Sequence, residues 1–272
     1  MKTFAKSLAY FIQWMVLVIM IAPLIWLVIS SFRPNADLFN APFSIPQNLS
    51  FDNYISVLQR QPMFRFLLNT VIIVVSSMAI TVTAAVLASY AFMHKFRLNP
   101  YLALILTVGL FVPTNAFLVP YFVMITRMGL FDSIWGIVLV YAGINTPMSI
   151  MVIKGFMSNI PKELLESARI DGARPFTVLR KIVLPISIPG IVTACIFQVI
   201  NSWNELLFAS VLNQSDRSRT IQVAIRFFLS TFEANHAYAF AAMVMAILPT
   251  VIVYAFLTDQ IISGMTAGAV KE

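Results

Sequence analysis

Charged residues are scarce in this chain: Asp, Glu, Lys and Arg make up 11% of its 272 residues, while 60% are hydrophobic. A soluble domain carries about 25% charged residues. Because a buried core cannot account for so large a deficit, the composition predicts a polytopic membrane protein. Cysteine is almost absent too. The only one, Cys195, lies in an apolar run, so an intramolecular disulfide is excluded, and we interpret it as a small side chain facing lipid or another helix.

Signatures of catalysis and of cofactor binding are missing as well. The nine glycines form no G-x-x-x-x-G-K-S/T phosphate loop, and the sequence contains no Ser/His/Asp array and no metal-ligand spacing. The two histidines, His94 and His236, each flank an apolar run, which favours an interfacial position. We therefore expect a protein that is not an enzyme, holds no metal or cofactor and binds no nucleic acid.

Six apolar runs are long enough to cross a bilayer, which takes about 20 helical residues. The first is too long for a signal peptide and is interpreted as a retained span. We expect an all-α membrane protein in which prolines break or bend some spans, at places where protein or water satisfies the freed carbonyl groups. The six runs are 7–32, 66–93, 100–125, 133–153, 186–211 and 236–258, and the prolines are Pro113, Pro120, Pro147 and Pro249.

The distribution of positive charge predicts the orientation. Six spans place both termini on one side of the membrane, and that side holds 11 of the 18 Lys and Arg residues, against 7 on the other. Both termini are therefore expected in the cytoplasm. The predicted division is a cytoplasmic N-terminus at 1–10, a transmembrane domain at 11–260 with extracytoplasmic loops at 33–65 and 212–235 and a cytoplasmic loop at 157–185, and a cytoplasmic tail at 261–272.

The first outer loop is rich in proline. Pro34, Pro42 and Pro46 exclude a long helix there. A short surface helix is expected over 52–60, with Ser50 or Asp52 as its cap.

The longest polar interruption in the second half, residues 160–185, predicts a short helix and a turn. Pro161 suits the first helical turn, where a missing N–H costs nothing. Glu163 and Glu166 follow near the positive end of the helix dipole. Gly172 is a natural stop just beyond the C-terminus.

The same loop has two apolar faces. Leu164, Leu165 and Ala168 share one side of the first short helix by the i, i+3, i+4 rule. A second short helix is expected to start at Pro175. Its apolar side would consist of Phe176, Leu179 and Val183. Pro185 and Pro189 would mark where the chain re-enters the membrane.

These residues carry a resemblance. Glu166-Ser167-Ala168, three residues, Gly172, nine residues and then Ile182-Val183-Leu184-Pro185 resemble the EAA loop of binding-protein-dependent ABC importer permeases, with Ser167 in place of the second Ala. In that family the loop is a coupling helix that enters a cleft on the ATPase subunit. The resemblance implies ATPase-coupling roles for Glu163, Glu166, Ser167, Ala168, Asp171, Gly172, Ala173 and Pro185.

Two further segments are similar to the carbohydrate-uptake branch of the family, in particular to the shorter, maltose-type second permease. One is Ser202-Trp203-Asn204-Glu205, and the other is the C-terminal run from Gly264 to Lys271. The resemblance implies that this tail, with Gly264, Gly268 and Lys271, reaches the ATPase interface. The alternative is that the GxxxG of Gly264 and Gly268 is a helix-dimer face.

The resemblance also implies partners and a location. It implies a complex with a second related permease, two ABC ATPase subunits and an extracytoplasmic solute-binding protein, at the inner membrane of a bacterium or archaeon. The Mg-ATP that drives the complex would be bound by the ATPase subunits and not by this chain. The cargo would be a sugar or oligosaccharide, or alternatively another solute such as a polyol or a glycerol phosphate. An ion-coupled secondary transporter is the rival class, but it predicts paired intramembrane acids or an inverted repeat. The sequence has neither.

The one acid within a span is Glu205, near the outer end of its run. An ionisable group at this depth should face protein or water. Two interpretations stay open: Glu205 belongs to the pathway or outer gate, or it hydrogen-bonds a neighbouring helix and holds the bundle together. The remaining pathway candidates are Asn115, Asn145, Asn201 and Asn204.

Overall fold

The computed structural model describes residues 2–44, 49–94, 96–231 and 235–269, and within these ranges the protein is all-helical, with no strand. This confirms the predicted all-α class, which suits a bilayer because helices satisfy their own backbone hydrogen bonds. The chain forms two compact units, one of Met1–Phe64 with Val223–Val251 and the other of Arg65–Gln222 with Ile252–Glu272.

The helices follow one another with short connections. They are α1 Lys2–Ser31, α2 Asn35–Asn40, α3 Asp52–Arg60, α4 Met63–Phe92, α5 Asn99–Phe111, α6 Leu118–Arg127, α7 Ile134–Met157, α8 Lys162–Ile170, α9 Pro175–Val178, α10 Leu184–Asn204, α11 Leu207–Leu212, α12 Ile221–Thr231 and α13 His236–Ala269. A 3₁₀ turn, Thr114–Phe117, precedes α6, and a π-turn, Leu179–Val183, joins α9 to α10.

Among the described residues, four helical stretches are long and apolar enough to cross a membrane. They are Lys6–Ser31, Met63–Phe92, Ile134–Met157 and Pro175–Asn204. A fifth candidate is a bent pair, Asn99–Phe111 with Thr114–Arg127. The last predicted span begins α13, whose apolar part, His236–Ile252, is shorter than the other four.

The bent pair replaces the single straight span expected over 100–125. Its two halves meet at 96°, and the break lies at Pro113. The preceding residue, Val112, has the extended backbone that a following proline favours. The expected break at Pro113 is thus confirmed, whereas Pro120 lies in the first turn of α6 and leaves that helix intact.

The fifth predicted span, 186–211, has different ends in the structure. The helix starts eleven residues earlier, at Pro175, and runs without interruption to Asn204. Pro185 and Pro189 therefore do not separate a loop helix from the membrane helix, which corrects the expectation. The π-turn explains why: the Leu184 N–H donates to the Leu179 carbonyl, five residues back, so the widened turn accommodates the prolines that follow.

Close contacts between helices α4, α7 and α10 hold the second unit together. The Gln198 amide donates to the Thr81 hydroxyl at 3.0 Å, and that hydroxyl donates to the Ala142 carbonyl at 3.2 Å. Gly190 of α10 faces Phe156 of α7, where any larger residue would place its Cβ 2.5 Å from the ring carbon Cγ. Small residues and internal polar pairs of this kind are what helices use to associate where no hydrophobic force drives them together.

Hydrogen bonds to Asp132 hold the loop 213–220 of the second unit in place. Its Oδ1 accepts hydrogen bonds from the N–H groups of Gln214 and Ser215, both at 2.9 Å, and from the Ser218 hydroxyl. Its own N–H donates to the Leu212 carbonyl at 2.9 Å. Partial burial opposes ionisation of Asp132, but the bonds from these groups outweigh it and hold the pKa of the carboxyl below its ordinary value.

A buried cation organises the first unit. The Arg33 side chain is 1% exposed, and its guanidinium donates to the carbonyls of Asp37, Ala41 and Pro42 and to the Ser44 hydroxyl at 2.6–2.8 Å. The chain thus wraps around one side chain where prolines exclude a long helix. The helix predicted over 52–60 is confirmed as α3, but its N-cap is Phe51 and not Ser50 or Asp52.

Replacement of Asp132 by Asn should destabilise the fold by about 1 kcal/mol at pH 7, because neutral hydrogen bonds replace charge-assisted ones. Asn is chosen because it tolerates the backbone at this position, where φ is 55°. Thermal unfolding in detergent, followed by a thiol-reactive dye at the only cysteine, Cys195, measures the difference. The wild-type advantage should be constant from pH 7 to about pH 5 and should shrink below about pH 4, since a depressed folded-state pKa stabilises only while the group is ionised.

The matched control is Asp216→Asn in the same loop. Asp216 pairs with Arg219 at 2.6 Å but is about half exposed, so its loss should change the unfolding temperature little. Equal effects of the two substitutions, or a gap that does not close in acid, would show that the Asp132 bonds do not stabilise the loop.

Candidate functional site

Two regions of the second unit concentrate polar side chains, a loop centred on α8 and a cavity beside the break after α10. The loop begins at Pro161, directly before α8. It ends in a Schellman turn, with the Gly172 N–H donating to the Arg169 carbonyl at 3.0 Å and the Ala173 N–H to the Ala168 carbonyl at 2.9 Å. Gly172 has φ +73°, so the predicted stop lies where glycine is favoured.

The loop presents acidic side chains outward and packs the apolar side chains of Leu165 and Ala168 inward. Glu163, Glu166 and Ser167 are exposed, and Ala168 is buried. Within the part of the chain that the structure describes, neither glutamate forms an ion pair. The Ser167 hydroxyl donates to the Glu163 carbonyl of the same helix. Serine in place of the usual alanine is therefore satisfied locally, and as an exposed side chain it lies outside the core on which α8 packs. Asp171, Gly172 and Pro185 are exposed, and Ala173 is partly buried.

The apolar faces of the loop differ from those predicted. Leu165 and Ala168 pack on a core cluster that includes Met157 of α7 and Val178 of α9. Leu164 is instead 45% exposed. In the second segment Leu179 and Val183 are buried as expected, but Phe176 is 69% exposed, and Ile170 beside the turn is 86% exposed. The loop thus carries an exposed apolar surface next to Glu163 and Glu166.

Helix α4 holds the base of the loop. The Tyr90 hydroxyl donates to the Pro175 carbonyl at 2.9 Å, and the His94 ring packs edge-on against Tyr90 with 4.9 Å between ring centroids. A cavity of about 290 Å³ lies beneath, lined in part by Leu165 and Arg169. These contacts make the loop a structured platform.

The second region is a polar cavity of about 270 Å³ where several helix ends meet. The 3₁₀ turn after the break at Pro113 supplies two residues, α7 supplies three, the end of α10 two, and the segment beyond α10 two. The lining residues are Thr114, Asn115, Tyr141, Ile144, Asn145, Asn201, Ser202, Glu205 and Phe208.

Four of the five pathway candidates line this cavity. Asn115 and Asn201 are exposed on its wall, Asn145 is buried and Glu205 is partly buried. Asn204 is not among the lining residues: it is exposed, and its amide donates to the Ile200 carbonyl at 2.9 Å. Their roles in a pathway stay a prediction.

The Glu205 carboxylate makes several contacts at the break between α10 and α11. Its Oε2 accepts a hydrogen bond from the Tyr141 hydroxyl at 2.7 Å and one from the Ala209 N–H at 3.1 Å. Its Oε1 accepts from the Phe208 N–H at 2.9 Å. The carboxylate thus satisfies the first N–H groups of α11 and links this segment to α7, which is the kind of contact that the bundle-holding interpretation describes.

Amide and hydroxyl groups continue the network along α7 and α10. The Asn145 amide donates to the Tyr141 carbonyl at 2.8 Å and to the Ser202 hydroxyl at 3.4 Å, and the Asn201 amide donates to the Asn145 Oδ1 at 3.4 Å. Sequence reasoning missed Tyr141 and Thr114. Tyr141 is four residues before Asn145, and Thr114 follows Pro113, so helical spacing and the proline break were the available signals.

The remaining candidates lie in the tail. Helix α13 continues to Ala269, so the segment predicted as a tail from residue 261 is helical that far. Gly264 and Gly268 lie within this helix, and Lys271 is outside the described residues. Among the described residues, no group of three or more His, Cys, Asp or Glu side chains could hold a metal ion.

Apolar helices, a structured polar loop and a cavity at broken helix ends together define a polytopic transport protein. The chain belongs to the family described as binding-protein-dependent transport system inner membrane component, whose model matches residues 3–266. This confirms the family that the EAA-like loop indicated.

Two curated relatives are similar over nearly the whole chain. One is the sulfoquinovosyl glycerol transport system permease protein SmoH of Agrobacterium fabrum, 32% identical over 98% of this chain and 94% of the relative. The other is the trehalose transport system permease protein SugB of Mycobacterium tuberculosis, 31% identical over 92% of each chain. Both are permeases of sugar transport systems by name.

A solved structure supports the fold. A chain of a bacterial ABC transporter involved in the import of the acidic polysaccharide alginate superposes with a TM-score of 0.82, covering 95% of this chain and 96% of the other, at 22% identity. At this identity the likeness concerns the fold alone.

The left-handed turn at Gly172 yields a stability prediction. A Cβ at this position meets no atom within 4 Å, so any cost comes from the backbone conformation. We expect Gly172→Val to lower the free energy of unfolding by about 1–2 kcal/mol, and the matched variant Gly172→Asn by clearly less, because Asn tolerates this conformation. Unfolding curves read at Cys195 report both. If Val and Asn behave alike, the turn does not constrain position 172.

Proposed function

We propose that the chain is the permease subunit of an ABC importer for a saccharide, handed over by an extracytoplasmic solute-binding protein and driven by ATPase subunits on separate chains. The observation that carries the proposal is the loop around α8: a rigidly anchored helix with exposed carboxylates beside exposed apolar side chains. The names of the sugar-transport relatives support the choice of cargo.

The proposed coupling site has a physical logic. Glu163 and Glu166 are exposed carboxylates that a cationic side chain of an ATPase subunit can pair with. Leu164, Ile170 and Phe176 supply apolar area around them, as protein interfaces require at their centre. Ser167 and Gly172 are small and exposed, which permits close approach, and the buried Ala168 anchors α8 beneath them. Asp171, Ala173 and Pro185 shape the turn and the exit of the chain.

The proposed topology has six spans, with both termini in the cytoplasm. Five of the spans correspond to the four long helices and the bent pair, and α13 is the sixth. The excess of Lys and Arg on the side of the loop supports the orientation. The side chains of α1 between Lys6 and Leu24 are exposed, so this helix is available to lipid or to a second permease subunit. In the proposed assembly Gly264, Gly268 and Lys271 extend toward the ATPase subunits.

In the proposed mechanism, ATP binding closes the two ATPase subunits and moves α8. Because the loop continues into the helix Pro175–Asn204, motion at α8 is passed to the residues at the far end, Asn201 and Ser202. The pathway candidates Asn115, Asn145, Asn201, Asn204 and Glu205 lie at or near that end. ATP would drive the change by binding one conformation more tightly than the other.

A direct test is co-purification in mild detergent after co-expression with the second permease and the ATPase. We expect wild type to retain both partners. Gly172→Asp should lose the ATPase by at least tenfold while it keeps the second permease, because a charged side chain intrudes at the tip of the loop. Glu166→Ala should retain the ATPase less well than wild type.

The control is Asp52→Asn, which removes a charge from the exposed N-terminus of α3 and should leave both partners in place. A wild-type chain that purifies alone, with both loop variants indistinguishable from it, would contradict the importer and favour a self-sufficient, ion-coupled transporter. The choice between a saccharide and another solute needs uptake measurements with the complete complex.

A further inference from the structure

The segment that follows α1, residues 34–44, folds back along that helix and does not extend away from its end. The Trp26 indole N–H donates to the Pro42 carbonyl at 2.9 Å, and the centroids of the Trp26 and Phe43 rings lie 6.4 Å apart. Trp26 precedes Ser31, the last residue of α1, by five residues, or about 8 Å of helix. Residues 42 and 43 therefore lie level with Trp26 along the axis of α1.

In a bilayer, Trp26 would lie near the boundary of the hydrocarbon core. The membrane-crossing stretch of α1, Lys6–Ser31, has 26 residues, or about 39 Å, which exceeds the roughly 30 Å of a bilayer core. If the two ends share the excess, the boundary falls about three residues before Ser31. Tryptophan is enriched at this level of a membrane, and the ring of Phe43 lies beside it.

The backbone of the segment 34–44 has hydrogen-bond partners within the protein. The Arg33 guanidinium donates to the carbonyls of Asp37, Ala41 and Pro42, so acceptors that a surface loop would present to water are already bonded. Non-helical backbone is excluded from lipid unless its polar groups have partners, because each unsatisfied group costs free energy there. The segment meets this condition, and the side chain of Arg33 is itself buried.

The segment exposes two large aromatic side chains. Phe39 is 63% exposed and Phe43 is 87% exposed. In the short helix α2, Phe39 lies about 200° around the axis from Asp37, whereas the exposed Asn40 shares a side with Asp37. Helix α2 therefore has an aromatic side and a polar side, as segments that lie in the plane of the membrane interface do. The Phe39 ring also packs on His236, the first residue of α13, with 5.4 Å between centroids.

We propose that the segment 34–44 is a membrane anchor, which inserts Phe39 and Phe43 among the lipids of the leaflet in which α1 ends. Its partner is the lipid itself, bound through burial of apolar surface and not through recognition of a headgroup. The level of Trp26 favours lipid over a water-soluble protein as the occupant of this surface. The loop expected over 33–65 thus begins within the membrane interface. This inference does not rest on the importer function.

Spin labelling of the full chain in liposomes of phosphatidylethanolamine and phosphatidylglycerol tests the anchor. Cys195→Ala removes the native thiol, and Phe39→Cys or Phe43→Cys supplies a single labelling site. Power saturation compares how often the label collides with oxygen, which concentrates in hydrocarbon, and with a water-soluble nickel chelate. At both positions we expect oxygen to have the greater access, so that the logarithm of the ratio of oxygen access to chelate access is positive.

Two reference positions calibrate this ratio. Val18→Cys, 61% exposed within α1, should give a positive logarithm, and Asp216→Cys, about half exposed in the loop 213–220, a negative one. Arg33→Met removes the guanidinium that satisfies three carbonyls, so the logarithm at position 43 should fall to zero or below. An unchanged value at position 18 in that variant shows that α1 still crosses the membrane.

Three results would overturn the anchor. Greater access of the chelate at positions 39 and 43 means that the segment lies in water. Low access of both reagents means that a protein surface covers it, and a positive logarithm that is lost in the complete transporter means that a partner subunit displaces the lipid. If Arg33→Met leaves the value at position 43 unchanged, the bonded carbonyls are not what allows the segment to lie in lipid. Retention of an ATPase enters none of these measurements, so they stand apart from the co-purification experiment.

Discussion

The cavity in the second unit depends on a carboxylate that replaces a backbone hydrogen-bond partner. Helix α10 ends at Asn204 and α11 begins at Leu207. The first N–H groups of a new helix have no intrahelical partner, and in a membrane an unsatisfied one costs several kcal/mol. Glu205 satisfies the N–H groups of Phe208 and Ala209 while it accepts the Tyr141 hydroxyl. The chain can therefore break here, and the space beside the break is polar.

A second break beside the same cavity follows a different rule. At Pro113 the missing N–H and the steric restriction on Val112 end α5 without any capping side chain. The two breaks bring Asn115 and Glu205 to one cavity. Polar backbone at depth is tolerated where it lines a cavity, so the same irregularities that weaken the helices supply a surface that can contact a solute.

Much of this architecture could be predicted from the sequence, and the failures have physical causes. The turn at Gly172 and the break at Pro113 follow from short-range rules for glycine and proline. Helix α3 has its predicted bounds, but its N-cap is Phe51, without a side-chain hydrogen bond, and not Ser50 or Asp52. The predicted C-terminal end of the fifth span, residue 211, was wrong because Glu205 caps a new helix. The length of an apolar run does not reveal such a cap. Tyr141 was missed because a tyrosine within an apolar run gives no signal until its hydrogen-bond partner is known. Leu164 and Phe176 were grouped on apolar faces with residues that are buried, because apolar periodicity predicts which side of a helix a residue lies on and not whether it is buried.

The π-turn at Leu179–Val183 sets the angle, measured around the helix axis, between the loop of α8 and the cavity residues at the other end of the helix Pro175–Asn204. The helix Pro175–Asn204 has 30 residues, or about 45 Å at 1.5 Å per residue, which exceeds the roughly 30 Å of a bilayer core. A π-turn contains one residue more than an α-helical turn, and each residue of an α-helix advances by about 100° around the axis. Deletion of a single residue within 179–183 would shorten the segment between Gly172 and Pro185 by one residue and rotate α8 by about that angle relative to Asn201 and Ser202. The direction in which the loop points around the helix axis therefore depends on the number of residues in this turn and not on their side chains.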